Sequence, residues 1–371
     1  MQNIKRHHND GCLALMALAL PSIIALETQA QYQLTQFPWG FPSGINNSGT
    51  IVANSFNEAT GEEAPALVNG DAVTFISIPN AFFTVPGGIN SQGTVVGSAY
   101  TENGSFGFVR TKQGEVTSLT IPGALETMPS GINARGVVVG SVLDEAFVSH
   151  GFIWDSTGPR LFDAPGAEST ELSGISASGI AVGSYTIGGI SRAFSLAGSR
   201  FSPLDIPDAS SSSAFGINSH GQIVGSYSSP AHTNLDRGFI YHRGAVIPVD
   251  YVLSEEFAPP GFPPRPFDFG DQGSGTVTYV RTLKFTAVTG INDRGDIVGR
   301  AGSLYTPMVE CGGCGLTPND FFTLVYFDTF TGERDGSRNV HVKNAGKHAA
   351  QKIRLSPGKA RGVQSLIRSK K

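Results

Sequence analysis

A short phrase recurs six times along the chain, and its spacing constrains the fold more than any other feature. Each copy reads Gly-Ile-Asn, two variable residues, Gly, one variable residue, two mostly aliphatic residues and a small residue, with Ser replacing Asn once. The spacings between copies are 44, 43, 43, 42 and 74 residues, and the copies begin at Gly44, Gly88, Gly131, Gly174, Gly216 and Gly290. A period of about 43 residues is the length of one four-stranded propeller blade.

The residue types within the repeat favour strands and tight turns. Asn-x-x-Gly lies between two apolar runs, and Asn and Gly enter left-handed backbone conformations easily, so we expect a hairpin turn there. The glycine after the aliphatic pair predicts close backbone approach, which we place on the inner side of each blade. A Gly-Phe strand such as Gly151–Ile153 and a short strand ending in Pro, such as Leu119–Pro122, complete the unit. The sequence therefore predicts an all-β fold, a six-bladed β-propeller of four-stranded repeats.

The two ends of the repeat region complement each other. Residues 32–37 have the character of a fourth strand that lacks a blade of its own. The repeat that begins at Gly290 has a third strand at Phe321–Phe327 and a turn at Thr331-Gly332, but no Pro-terminated fourth strand. We predict that residues 32–37 complete this last blade and close the ring, because closure removes exposed sheet edges.

These motifs also carry a family resemblance. The GIN-x-x-G-x-IVG phrase, the strand Gly238–Tyr241 and the segment Asp205–Pro207 resemble the HAF family of predicted extracellular repeats, over about residues 32–327. The resemblance implies secretion and a propeller-like fold, and it carries over no activity and no functional residues. The first repeat departs most, because Ala64–Val68 stands where the Gly-Phe strand is expected.

The segments before and after the repeats differ from the repeats in composition. Residues 1–30 combine a basic start, an apolar run at Leu13–Leu26 and small residues before residue 31, which predicts a signal peptide. The run is short for a membrane anchor, so we expect no transmembrane segment in the mature chain. We expect the protein to be secreted, at the extracellular space, the cell surface or the periplasm, with residues 31–337 as one propeller domain.

Residues 338–371 form a basic tail. They contain ten Lys and Arg and no Asp or Glu, whereas the whole chain has a formal charge of −4, so residues 1–337 carry −14. The tail lacks aromatic residues and apolar periodicity, which is typical of disorder. We expect it to contact an anionic polymer, lipid or the acidic propeller itself.

Two insertions interrupt the period, at about residues 251–286 and 303–320. In an up-and-down blade, the links between blades and the loops between strands two and three emerge on one face, which we call the insertion face. The Asn-x-x-Gly turns emerge on the opposite face, the turn face. Long loops on a rigid scaffold often carry function, although insertions without function also cost little. The candidate ligand-binding residues are the charged ones of the insertions: Arg265, Asp268, Asp271, Arg281, Glu310 and Asp320.

The sequence shows few chemical motifs. Cys311 and Cys314 form a CGGC segment, for which we predict a structural disulfide in a secreted chain. A redox pair normally uses a helix N-terminus, and zinc would need two further ligands. The histidines lack metal-binding spacing, and no nucleophile elbow, Walker loop or dinucleotide fingerprint stands in a suitable context. We therefore assign no catalytic residues, no metal site and no cofactor.

These observations favour a monomeric secreted binding module for an extracellular partner, a glycan or a protein, and a non-enzymatic role. One alternative is an extracellular polysaccharide hydrolase or lyase with carboxylates as acid and base in the propeller funnel. The other is a structural surface protein without a discrete ligand. Two carboxyl groups in the funnel would favour the enzyme, and an aromatic-rich face would favour binding.

Overall fold

The computed structural model describes residues 32–37, 40–57, 62–230, 236–250, 265–268, 274–311 and 324–334. Within these residues the chain forms 25 strands and no α-helix. The strands make six antiparallel sheets arranged as blades around one axis, which confirms the six-bladed propeller. Among the same residues, no helix is long and apolar enough to cross a membrane.

The first strand, β1 (Tyr32–Gln36), is separate from the blade that follows it, and the next five blades each use four consecutive strands. Blade one contains β2 (Phe41–Ile45), β3 (Ile51–Asn57), β4 (Glu62–Asn69) and β5 (Ala72–Phe75). Blade two contains β6 (Phe83–Ile89), β7 (Val95–Thr101), β8 (Gly104–Arg110) and β9 (Val116–Leu119). Blade three contains β10 (Glu126–Ile132), β11 (Val138–Leu143), β12 (Ser149–Asp155) and β13 (Gly158–Phe162). Blade four contains β14 (Ser169–Ile175), β15 (Ile180–Ile187), β16 (Ile190–Ala197) and β17 (Arg200–Pro203). Blade five contains β18 (Ser211–Ile217), β19 (Ile223–Ser228), β20 (Asp236–His242) and β21 (Ala245–Val249).

Blade six is built from both ends of the described chain. It contains β22 (Arg265–Asp268), β23 (Ser274–Ile291), β24 (Ile297–Cys311) and β25 (Leu324–Arg334), with β1 as its outer strand. The predicted closure is confirmed: Tyr32 pairs with Arg334 and Gln36 with Phe330. The third strand was predicted too early, at Phe321–Phe327, because β25 runs from Leu324 to Arg334 and β1 pairs with its last five residues. The predicted turn at Thr331-Gly332 was also wrong, because both residues lie within β25.

The insertions are more regular than the sequence predicted. Strands β23 and β24 stay paired from Ile291 opposite Ile297 out to Gly275 opposite Cys311, with two bulges. Strand β22 pairs with the N-terminal end of β23, where Arg265 lies opposite Val277. Much of both insertions is therefore one β-ribbon, which continues the inner strands of blade six beyond the insertion face.

Apolar side chains fill the space between every pair of neighbouring blades, in six separate clusters. The third strands contribute fully buried rings: Phe108, Phe152, Phe194 and Phe239. The sixth cluster joins Val298 of blade six to Ile51 and Phe37, so it seals the ring. Because burial of apolar surface dominates the energetics of folding, the packing of these side chains between blades is what mainly stabilises the ring.

The glycine after the aliphatic pair makes the close contact that the sequence predicted, but the contact lies within the blade and not at the axis. A Cβ on Gly140 would lie 2.7 Å from Phe152 Cε1 and would also clash with the Met128 carbonyl oxygen of the first strand. Five blades pair Gly with Phe across strands two and three. Blade one pairs Ala53 with Ala66. In blades two to five the closest atom to such a Cβ is the first-strand carbonyl oxygen, at 1.9–2.3 Å, so the close approach of the first-strand backbone requires glycine as well as the Phe ring does.

The axis is instead lined by the first glycine of each repeat. A Cβ on any of these glycines would lie 3.0–3.5 Å from the Cα of the matching glycine in the next blade. The contacts run around the complete ring, from Gly44 to Gly88, Gly131, Gly174, Gly216, Gly290 and back to Gly44. The six inner strands therefore meet at these glycines, and only a residue without a side chain allows this approach.

The repeat Asn has a different role from the one the sequence predicted. Positive φ falls on the turn glycine, as at Gly136 (φ 79°), and the Asn is not among the positive-φ residues. Asn133 Oδ1 accepts the N–H groups of Arg135 and Val137 at 3.0 and 3.1 Å. Its Nδ2 donates to the carbonyl oxygen of Ser176 in the next blade at 3.2 Å. Each Asn therefore shapes its own turn and bonds to its neighbour.

Five such bonds between blades encircle the axis on the turn face. The donors are Asn46, Asn90, Asn133, Asn218 and Asn292, all of which are buried. The sixth place holds Ser176, whose hydroxyl accepts only the N–H of Ile180 among backbone donors, at 3.0 Å. A serine side chain has no amide to donate, so the ring of bonds is open between blades four and five.

Candidate functional site: the axial funnel

A cavity of about 310 Å³ lies on the propeller axis. Every blade contributes to it the residue just before the repeat glycine: Ser43, Gly87, Ser130, Ser173, Phe215 and Thr289. These residues lie on the side of the glycine ring where the first strands begin, which is the insertion face. The cavity is therefore a funnel that opens on the insertion face and narrows toward the glycine ring.

A second cavity of about 680 Å³ adjoins the first on the side of blades five and six. The two share Phe41, Phe215 and Arg300 in their linings. The second cavity adds Phe285 and the carboxylate of Asp236. Both volumes fall in the range of small-molecule sites, which combine apolar surface with a few polar groups.

Arg300 is the residue that departs most from the repeat. It follows the second-strand glycine, a position held by Ser in four blades and by Asn54 in the first. The side chain is exposed to solvent, yet the surrounding protein lowers the pKa of its guanidinium through desolvation. A concave wall explains both observations, because it encloses the group and still admits water. Arg300 stays charged, since arginine does not deprotonate in proteins.

Carboxylates stand around the funnel but do not form an acid–base pair in the described lining. Asp236 accepts a hydrogen bond from the Ser228 hydroxyl. Glu63 accepts a hydrogen bond at 2.9 Å from Nδ2 of Asn54, which lines the cavity. Asp236 is the one carboxylate among the described lining residues, and Arg300 forms no ion pair with Asp236 or Glu63.

The insertion face also carries exposed apolar side chains. Phe82, Phe83 and Leu125, at the starts of blades two and three, are 72%, 42% and 47% exposed. Phe147, in the loop between β11 and β12, is 76% exposed and has a φ of 60°. A bulky residue at positive φ is a genuine outlier, and such strain is concentrated at functional sites.

The loop that holds Phe147 repeats the geometry of the Asn-x-x-Gly turns. Asp144 Oδ1 accepts the N–H groups of Ala146 and Val148 at 2.9 and 2.8 Å, as the repeat Asn does in its own turn. Phe147 occupies the place of the turn glycine and donates its N–H to the Asp144 carbonyl oxygen at 3.0 Å. The chain therefore presents a phenylalanine to solvent where glycine would be relaxed.

One charged cluster lies on the insertion side of blade three. His150 Nδ1 lies 2.8 Å from an oxygen of Asp163, and its Nε2 lies 3.3 Å from an oxygen of Asp144. The hydrogen bond with Asp163, together with Asp144, raises the pKa of His150, and backbone hydrogen bonds lower the pKa of Asp144. Within the described residues no group of His, Cys, Asp and Glu side chains could hold a metal ion.

The candidate residues chosen from the insertions fall on the β-ribbon or outside the described residues. Arg265 and Asp268 lie in β22, Arg281 in β23 and Glu310 in β24. Glu310 pairs with Thr276 on one side of β23, and Arg265 pairs with the adjacent Val277 on the other side. Glu310 and Arg265 are therefore offset by one residue along β23. The remaining candidates, Asp271 and Asp320, lie outside the described residues, and all six stay predictions.

The predicted disulfide also stays a prediction, because Cys311 ends β24 and Cys314 lies outside the described residues. The sequence reading missed Arg300 and Phe215, although a signal was available for both. When the six repeats are aligned, Arg300 stands where the other blades have Ser or Asn. Phe215 stands where they have Ser, Thr or Gly. Phe147 could be recognised only from its backbone conformation.

Fold and cavity together define a six-bladed propeller with an axial ligand-sized funnel. No protein-family profile matches the chain, and no curated protein matches it in sequence. The HAF resemblance therefore stays a prediction.

Several solved structures share a weak likeness of shape. A catalytically inactive virginiamycin B lyase from Staphylococcus aureus is 13% identical, with 82% of this chain and 99% of that chain covered, at a TM-score of 0.42. A Xanthomonas campestris gluconolactonase is 11% identical over 82% and 90%, at 0.43. TolB from Acinetobacter baumannii is 12% identical over 82% and 63%, at 0.41. These likenesses carry no activity to this chain.

Proposed function

We propose that this chain is a secreted binding module whose ligand enters the axial funnel from the insertion face. One observation carries the proposal: the repeat sequence breaks its own pattern where it lines this cavity. On the second strand, the residue directly after the small residue (Ala in blade one, Gly in the others) is Ser or Asn in five blades. In blade six it is Arg300. Architecture explains the shared residues, whereas the departures supply charge and aromatic surface to one cavity.

Binding is better supported than hydrolysis. Acid–base cleavage of a glycosidic bond needs two carboxyl groups roughly 5–10 Å apart on either side of the substrate. The described lining offers Asp236 alone, and the exposed Phe82, Phe83 and Phe147 give the insertion face the aromatic character expected of a binding surface. Aromatic side chains dominate the energetics of many interfaces.

The experiment is a binding screen of the purified chain against glycan and cell-wall fractions. The decisive variant is Ser130→Phe, which fills the funnel with the residue type that blade five carries as Phe215. The matched control is Ser91→Phe, at an exposed residue of the turn face. We expect Ser130→Phe to lose a ligand that the wild type and Ser91→Phe both retain. Equal binding by all three proteins would refute the funnel as the site.

A further inference from the structure

The funnel's chemistry also points to a class of ligand, an inference that rests on the proposed function. The first step is the charge. Arg300 is the cation shared by both cavities, and no carboxylate of the described residues forms an ion pair with it. A guanidinium in a partly desolvated wall favours an anionic partner, and its planar fork matches a carboxylate with two parallel hydrogen bonds.

The second step is the remaining surface. Phe41, Phe215 and Phe285 line the second cavity beside Arg300 and supply apolar area. Neutral hydrogen-bonding groups surround them, among them the hydroxyls of Ser213 and Ser226. Phenyl rings suit the C–H faces of a pyranose, and hydroxyl groups and Asp236 suit its hydroxyl groups. A simple inorganic anion would accept hydrogen bonds from the hydroxyl groups but would leave the phenyl rings unused.

The third step is the shape of the site. The inner strands come together at the six repeat glycines just beyond the cavity, and the Asn side chains join the blades beyond those. A polymer cannot thread through such a narrowing, so the funnel suits one terminal unit. We propose that the funnel binds a terminal hexuronate, with its carboxylate on Arg300 and its ring against the phenylalanines of the second cavity.

The test is isothermal titration of the full chain with D-glucuronate and D-galacturonate. D-glucose and D-galactose serve as matched neutral sugars, and acetate serves as a carboxylate without a ring. A charged hydrogen-bonded pair predicts that at least one uronate binds about tenfold or more tightly than its neutral counterpart and than acetate. Arg300→Ser installs the residue of four other blades and should abolish this preference. Arg300→Lys should retain part of it, because the charge stays and the fork is lost.

The control is Arg192→Ser, which removes an exposed arginine from the third strand of blade four and should leave binding unchanged. Equal affinity for neutral sugars, equal affinity for acetate, or an unchanged preference in Arg300→Ser would each overturn the inference. If no uronate binds but a fraction from the glycan screen still depends on Ser130, the inference fails and the proposed function stands. If nothing depends on Ser130, the proposed function fails as well.

Discussion

The open place in the ring of asparagines gives the sharpest prediction about stability. Ser176→Asn should add a bond from its Nδ2 to the Asn218 carbonyl oxygen, as in the five other links, and a second backbone N–H bond within its turn. Each hydrogen bond contributes about 0.5–1.5 kcal/mol net, and ordering the longer side chain costs up to about 1 kcal/mol. The expected gain is about 1–2 kcal/mol, or a rise of roughly 2–3 °C in Tm for a domain of this size.

The measurement is urea unfolding and calorimetry of the purified chain. Asn133→Ser makes the reverse change in the neighbouring blade and should cost about 1–2 kcal/mol by the same reasoning. Ser91→Asn is the control, because that exposed residue is Asn47 in the first repeat, and its effect should stay within about 0.5 kcal/mol. A Ser176→Asn variant no more stable than wild type, beside an Asn133→Ser variant that loses nothing, would show that the bonds between blades do not stabilise the ring.

Three further outcomes are expected. Gly140→Ala should cost about 1–3 kcal/mol in unfolding free energy, because its Cβ would overlap the Met128 carbonyl oxygen and the Phe152 ring. Combined with Phe152→Ala it should cost less than the sum of the two single changes, because the ring contact alone is relieved; additive losses would show that the carbonyl contact by itself sets the cost of the Cβ. Phe147→Gly should raise stability by about 1 kcal/mol and weaken binding of any ligand found in the glycan screen, and a destabilised variant would disprove the strain. NMR titration should place the His150 pKa above its ordinary 6.5 and show a fall in Asp163→Asn, whereas an unchanged value would refute the contact. Because the folded-state pKa of His150 is raised, the stability that protonation of His150 contributes is present below about pH 6.5 and lost as pH rises through the raised value.

The architecture was predictable because the repeat encodes it many times. Four of the five spacings between copies lie within 42–44 residues and set the length of the blade. Turn glycines such as Gly136 mark where the chain reverses. Closure by residues 32–37 followed from counting strands. The extent of the third strand did not, because Thr331-Gly332 has the composition of a turn, whereas pairing with β24 and β1 continues the strand through it to Arg334. The long ribbon was missed because the insertions are rich in Pro and Gly, as at residues 258–275, and such a composition predicts loops.

The site was less predictable for a physical reason. Charged residues in insertions are conspicuous in a sequence, so they drew attention away from positions inside the repeat. Arg300 directly follows the sixth copy of the phrase, and it lines the funnel because the order of the strands brings six distant segments to one axis. The role of Asn was misread for a related reason: its turn is local, but its amide bonds to a residue about 43 positions away.

The pairing of β1 with β25 has a consequence for assembly. Blades one to five are each drawn from contiguous sequence, whereas the last sheet joins Tyr32 to Arg334 and so waits for segments some 300 residues apart. Removing Tyr32–Gln36 would leave the outer edge of β25 unpaired, and that edge could pair with the same segment of another molecule. That seam is where strand exchange between copies would begin.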